Sequence, residues 1–235
     1  MLEFFGELHW GVLFQIILID ILLGGDNALV IALACRNLDP KRRRAGIFWG
    51  TFAAIGLRVV LIFFALSLLA TPFLKIVGAA LLIWIGISLL LPGEGGENSL
   101  KAEATLLGAI KTIIIADFVM SLDNVLAIAG VAHGTDYQLF YVVFGLLLSV
   151  PIIIWGSTVI LRILDRFPIV VLLGAGLLGW IAGGMLVTDE FITKQFGLVA
   201  RSTQLFAEVL CALIVMIVGR YLAKRRENKT KVLKS

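Results

Sequence analysis

Two short stretches set carboxylates and amides inside apolar sequence, and any chemistry this chain performs is expected there. The first reads Asp20-Ile21-Leu22-Leu23-Gly24-Gly25-Asp26-Asn27. The second, 97 residues later, reads Asp117-Phe118-Val119-Met120-Ser121-Leu122-Asp123-Asn124. A carboxylate at the centre of a bilayer costs about 2.5–3.5 kcal/mol on insertion scales, so four cost roughly 10–14 kcal/mol. That is comparable with the whole stability of an ordinary domain. Such groups need water, a cation or a proton beside them.

In an unbroken helix, residues seven apart fall about two turns along and share a face. Asp20 then aligns with Asn27, and Asp117 with Asn124, while Asp26 and Asp123 point to a flank. Gly24-Gly25 predicts a break in the first copy, since paired glycines are a known site of kinks. The second copy has Met120-Ser121-Leu122 there, so a break would rest on Ser121 or water.

The combined ligand set is four carboxylates and two amides, without His or Cys. It is a hard, all-oxygen set, suited to Mg, Ca or Mn rather than Cu or Zn. Four facing carboxylates cannot all stay ionised without cations or protons. The structural alternative is that the aspartates pair with Arg58, cap broken helices, or sit protonated in interhelical hydrogen bonds. Arg58 is the only base in mid-span and can neutralise one or two of them. It reads either as a counter-ion or gating charge for the site, or as a side chain snorkelling to an interface. Glu208 and His133, near outer span ends, face either an external mouth or the headgroups.

The elements that must position these residues follow from composition. The chain has 235 residues, 60% hydrophobic and 15% charged, with mean hydropathy +1.03. Soluble domains carry about 25% charge, so this is a polytopic all-α membrane protein. Runs of about 20 apolar residues read as spans, and seven are expected at 9–34, 46–69, 73–91, 106–131, 138–161, 168–187 and 203–222. The N-terminus carries Glu3 and Glu7 without a basic residue, so the first run is expected to remain as a span rather than a cleaved signal. Cys35 and Cys211 read as space-filling residues. The small residues Gly50, Ala53, Ala54, Gly78, Gly174, Gly176, Gly183 and Gly184 read as close-packing positions, and the five tryptophans as packing or belt residues.

The net charge of +4 does not indicate nucleic acid, because the bases sit in loops. Arg36, Lys41, Arg42, Arg43 and Arg44 crowd the first loop, and seven more Lys/Arg the tail from Arg220 onward. With Lys101, Lys111, Arg162 and Arg166 these fall on one side, leaving Lys75, Lys194 and Arg201 opposite. The positive-inside rule then places the N-terminus outside and the C-terminus in the cytoplasm. That requires an odd number of spans, as seven is.

A repeat underlies the spans. Gly78-Ala79-Ala80-Leu81-Leu82-Ile83-Trp84-Ile85 matches Gly174-Ala175-Gly176-Leu177-Leu178-Gly179-Trp180-Ile181 at an offset of 96, each preceded by a proline, Pro72 or Pro168. This divides the chain into a first three-helix repeat at 1–91, a cytoplasmic linker at 92–105, a second repeat at 106–187, and a seventh helix with a basic tail at 188–235. Each repeat has an odd number of spans, so the two are expected to be inverted in the membrane. Transporters built this way bind substrate near the midplane at the repeat interface.

On the paired Gly24-Gly25-Asp26-Asn27-Ala28 and Ser121-Leu122-Asp123-Asn124-Val125 motifs, the preceding Asp20 and Asp117, and the seven-span plan, the chain resembles the TerC family of integral membrane proteins along essentially its whole length. The resemblance implies a relation to LysE-like exporters and an association with manganese efflux, tellurium resistance and metal supply to exported metalloenzymes. It implies that Asp20, Asp26, Asn27, Asp117, Asp123 and Asn124 line a metal site; Arg58, Ser121 and Glu208 are candidate accessory residues by their placement in the spans. The resulting expectation is a secondary transporter in the cell membrane. It would export a divalent cation, Mn2+, by alternating access with proton exchange, the ion being substrate rather than a tightly bound cofactor. Two alternatives stand: another cation (Ca2+ or a cationic amino acid), or a membrane scaffold for assembly of exported proteins. An aspartyl intramembrane protease fits poorly, because Leu23-Gly24-Gly25-Asp26 departs from the Gly-x-Gly-Asp that such chemistry uses, so no enzyme activity is expected. Oligomeric state is not readable from the sequence.

Overall fold

The computed structural model describes residues 10–69, 71–91, 105–132 and 138–232. Glu3, Glu7, His133 and nearly all of the 92–105 linker lie outside these residues. Within them, nine helices and no strands are present: α1 (Trp10–Leu23), α2 (Gly25–Cys35), α3 (Pro40–Leu69), α4 (Leu74–Leu90), α5 (Leu106–Ala132), α6 (Gln138–Arg166), α7 (Pro168–Val187), α8 (Glu190–Phe196) and α9 (Arg201–Val232). Every expected apolar run falls on one of these helices or, for the first, on a pair.

Four helices, α3, α6, α7 and α9, are each long and apolar enough on their own to cross a bilayer. α1 and α2 meet the same condition jointly, across a bend of 48°. The bend falls at Gly24, as the glycine pair predicts. A Cβ there would come within 2.3 Å of the carbonyl oxygen of Asp20, so only glycine allows this turn of chain to close on itself. Gly25 meets nothing within 4 Å, so the first glycine is the one the break requires. The second copy of the motif carries no such break; α5 runs continuously through it.

Small residues bring the helices into contact. Added Cβ atoms would lie 2.5 Å from Ile113 at Gly50, where α3 meets α5, and 2.8 Å from Val119 at Gly78, where α4 meets α5. Along α7, Gly179 and Gly183 admit the backbone of α9 itself, with added Cβ atoms 2.6 Å from the Cys211 carbonyl and 2.4 Å from that of Ala207. Two buried apolar clusters result. One joins α1, α2, α3, α5 and α6, including Ile16, Leu33, Ile113, Val142 and Leu146. The other joins α4, α5 and α7 around Leu82, Val119 and Leu178. Both cysteines are free and buried. Trp10, Trp49, Trp84 and Trp155 are exposed on the outer surface, and Trp180 is half-buried.

The short α8 lies outside any apolar run. Its N-cap, Asp189, is fully buried. One oxygen accepts from Phe191 N at 2.8 Å and Phe73 N at 3.0 Å. The other accepts from Lys75 N at 3.0 Å and Ile76 N at 3.3 Å. One carboxylate therefore caps two helices, α8 and α4, and ties the ends of the two motif-bearing halves together. Phe73, in the left-handed region at φ 66°, turns the chain so that its amide reaches this oxygen.

Candidate functional site

The continuous α5 and the broken α1–α2 pair place Asp117 and Asp20 on opposite sides of one side chain, Arg58 of α3. The guanidinium is 2% exposed, Asp20 1% and Asp117 4%. Arg58 Nη1 donates to Asp20 Oδ1, and Nη2 donates to Asp117 Oδ1 at 2.6 Å. Nε donates to Ser121 Oγ at 3.0 Å, and that hydroxyl donates to Asp117 Oδ2 at 3.1 Å. Ser149 of α6 donates to Asp20 Oδ2. Each carboxylate oxygen thus has a partner, and the network joins four helices, α1, α3, α5 and α6. With both aspartates ionised, these groups carry a formal charge of −1, and a net charge in a medium of low dielectric attracts a cation or proton.

Asn27, in the first turn of α2, is 5% exposed. Neither its amide nitrogen nor its amide oxygen has a hydrogen-bond partner, which is uncommon for buried polar atoms and calls for a cause. It faces a cavity bounded also by Val30, Ile31, Ile113 and Asp117, with about 10 Å³ open to water-sized spheres. That is about the room one water or one small ion requires. An oxygen donor without a partner, a carboxylate and a small cavity therefore adjoin.

Asp26 stands apart from this cluster. It is half-buried in the first turn of α2, where its Oδ1 accepts from Asn27 N at 2.9 Å. An acid there complements the positive end of the half-helix. It remains within electrostatic reach of Arg58 and Asp117. Asp123 lies on α5, six residues beyond Asp117, and its side chain is outside the described residues. Asn124 is half-buried on the same helix and does not line the cavity. Among the described residues, no three His, Cys, Asp or Glu side chains gather at metal-binding spacing. What gathers is two carboxylates, one guanidinium, two serines and an amide.

Of the accessory residues, Arg58 is a buried counter-ion and does not snorkel. Ser121 bridges it to Asp117. Glu208 is buried on α9 and accepts from Gln204 at 2.9 Å and Arg201 at 3.4 Å, with its Oε2 unpartnered; it is not a headgroup-facing side chain. Two polar positions that the structure ties into these contacts were not singled out from the sequence. Ser149 gave no signal, being one hydroxyl in an apolar run. Asp189 carried a local one, an N-cap aspartate followed by Glu190, whereas its contacts to α4 are separated from it by more than a hundred residues.

The profile of the integral membrane protein TerC family matches residues 5–227 of the chain. The chain is 44% identical over 178 residues to the uncharacterized membrane protein YjbE of Bacillus subtilis, covering 76% of this chain and 80% of that one. It is 25% identical over 199 residues to the inner membrane protein YgdQ of Escherichia coli, covering 77% and 82%. No solved structure matches it significantly.

Proposed function

The chain belongs to the TerC family of integral membrane proteins, and from that premise we propose that it is a secondary transporter exporting a divalent metal cation, Mn2+. The observation that carries this reading is the convergence of Asp20 and Asp117 on Arg58. These are equivalent positions of the two sequence motifs, and they meet beside a water-sized cavity lined by an unpartnered amide. Asn27 and Asp117 line the cavity and Asp20 adjoins it through Arg58; Asp26, Asp123 and Asn124 of the same motifs complete the oxygen ligands in the conformation that holds the ion. Arg58 is a tethered monovalent cation that offsets one of the two carboxylate charges when they do not hold the ion. For the ion to take its place the guanidinium must withdraw, and where Asp20 or Asp117 takes up a proton as the ion leaves and gives it up as the next ion binds, transport is coupled to counter-movement of protons.

The packing supports inverted repeats. Let the spans be α1–α2, α3 and α4 in the first half, and α5, α6 and α7 in the second. The first span packs on α6, and its counterpart α5 packs on α3; α4 packs on its own counterpart α7. Exchange of the halves reproduces these pairs, as a pseudo-two-fold axis requires. α9 lies against α7 and α4 and has no counterpart. We read seven spans in this arrangement, with the N-terminus outside and the basic tail in the cytoplasm by the positive-inside rule.

The test is Mn2+ efflux from cells expressing Asp20→Asn, Asp117→Asn and Asn27→Ala variants, with membrane insertion checked. Transport at the wild-type rate in inserted Asp20→Asn and Asp117→Asn protein would sink the proposal. A second reading draws on the same cluster. The two carboxylates are fully paired, as they would be in a purely structural ion network of a scaffold for exported proteins. On that reading, aspartate variants lower stability and partner assembly while metal tolerance of stable variants is unchanged.

A further inference from the structure

At the end of the molecule where Arg36, Arg43, Arg162, Arg166 and the basic tail gather, a groove opens between α4, α7 and α9. Its volume is about 330 Å³, and its lining includes Leu90, Ile169, Leu172 and Ala223 together with the guanidinium-bearing Arg36 and Arg220. That volume lies at the small end of the roughly 300–1,000 Å³ usual for small-ligand sites. Its walls are almost wholly apolar, yet two cations border it.

Neither guanidinium has an ion-pair partner among the described residues. Asp165, whose charge acts on Arg36, is held by Arg43 at 2.7 Å. Arg43 also donates to the Arg36 carbonyl at 2.5 Å and to the Leu38 carbonyl at 2.8 Å. This clip fixes the loop while leaving the Arg36 side chain with one weak bond, to Asn37 at 3.3 Å. The groove also reaches the start of α7, where Pro168 has no N–H and Phe167 supplies no side-chain cap. The positive end of that helix adds to the field of the two arginines.

We propose that this groove holds an anionic phospholipid, with its phosphate between Arg36 and Arg220 and the first methylenes of an acyl chain along Leu90, Ile169, Leu172 and Ala223. Charge complementarity identifies the occupant. A groove with apolar walls and a cationic rim, at the membrane boundary of a basic face, matches a molecule that is apolar along one part and anionic at the other. Basic pockets between transmembrane helices take anionic headgroups for this reason. A soluble anion would leave the apolar wall uncovered, and a neutral lipid would leave the arginines without a partner. Because the lipid would touch α4, α7 and α9 together, it would brace the added helix against both motif-bearing halves.

The experiment is thermal unfolding of the purified full-length protein in detergent, with phosphatidylglycerol, phosphatidylcholine or inorganic phosphate added. Phosphatidylglycerol is expected to raise the melting temperature, and phosphatidylcholine and phosphate are not. Arg36→Gln/Arg220→Gln should lose at least half of the rise. Lys224→Gln/Arg225→Gln, which removes the same charge from the neighbouring tail, should keep it. Ala223→Phe fills the groove without altering charge, and it should lose the rise even if the arginine variant cannot be purified. The proposal is overturned if the rise survives in Ala223→Phe or Arg36→Gln/Arg220→Gln. It is overturned equally if the tail variant loses the rise as fully, or if inorganic phosphate reproduces it.

Discussion

Arg58 holds together groups that would otherwise be very costly to bury. Removing one member of a buried ion network leaves an uncompensated charge, at a cost of about 3–5 kcal/mol. Arg58→Gln strands two carboxylates and is expected to lower the unfolding temperature sharply in detergent. Arg58→Lys should fall between, since an ammonium cannot serve Asp20, Asp117 and Ser121 in the planar fork they now share. Asp20→Asn/Arg58→Gln/Asp117→Asn removes every charge and should recover much of the loss. A triple variant no more stable than Arg58→Gln would show that the cost is not electrostatic. The residue types at this site were legible in the sequence, because carboxylates and a lone arginine in apolar runs have few explanations. Which carboxylates pair was not legible. The shared helix faces favour Asp20 and Asp117 over Asp26 and Asp123, but that both would meet Arg58 depends on how α3 is set against α1 and α5, which the sequence does not fix. The unpartnered amide of Asn27 is likewise a property of the packed interior, visible only when its neighbours are known.

At the level of elements, the apolar runs mark the helices because a bilayer-spanning length of hydrophobic residues leaves the backbone no alternative to helix. The runs expected at 73–91 and 168–187 coincide with Leu74–Leu90 and Pro168–Val187 to within a residue. Polar extensions were harder to place: α3 begins at Pro40 and α9 continues to Val232, through charged turns that carry no hydropathy signal. α8 has none either. The break at Gly24 makes a contrast between neighbours. Gly24→Ala drives a Cβ against the Asp20 carbonyl and must shift the backbone that carries Asp20, whereas Gly25→Ala enters open space. Gly24→Ala is expected to lower both stability and Mn2+ efflux, and Gly25→Ala to leave both near wild type. Equal losses in the two would mean that flexibility of the pair, and not the close approach at Gly24, is what matters. Asp189→Ala leaves four amide donors at two helix starts without their acceptor. Each unsatisfied buried group costs about 1–3 kcal/mol, offset where water can enter. The variant should therefore melt well below the wild type, with Asp189→Asn between them, as thermal unfolding would show.

For the molecule as a whole, the proposed export mechanism requires the two halves to move against each other, and the packing offers a direct way to stop them. α1 and α6 belong to opposite halves. A Cβ placed on Gly145 would lie 3.2 Å from the Cβ of Ile16 and 2.6 Å from its Cγ2. Replacing both by cysteine removes the methyl that would clash. It leaves two Cβ atoms close to the roughly 3.5–4.5 Å separation of natural disulfides. The background would be Cys35→Ala/Cys211→Ala, so that no other thiol competes. In the oxidised Ile16→Cys/Gly145→Cys protein, Mn2+ efflux should fall to the level of cells without the transporter, and a reductant should restore it. Each single cysteine should transport with or without oxidant. A structural scaffold predicts a different outcome, because locking two helices that never separate changes nothing. If cross-linking is complete and efflux persists, motion between α1 and α6 is not part of transport. If efflux is lost and returns on reduction, the reciprocal packing of the halves is the moving part of the machine, with Arg58 at the junction where Asp20 of one half meets Asp117 of the other.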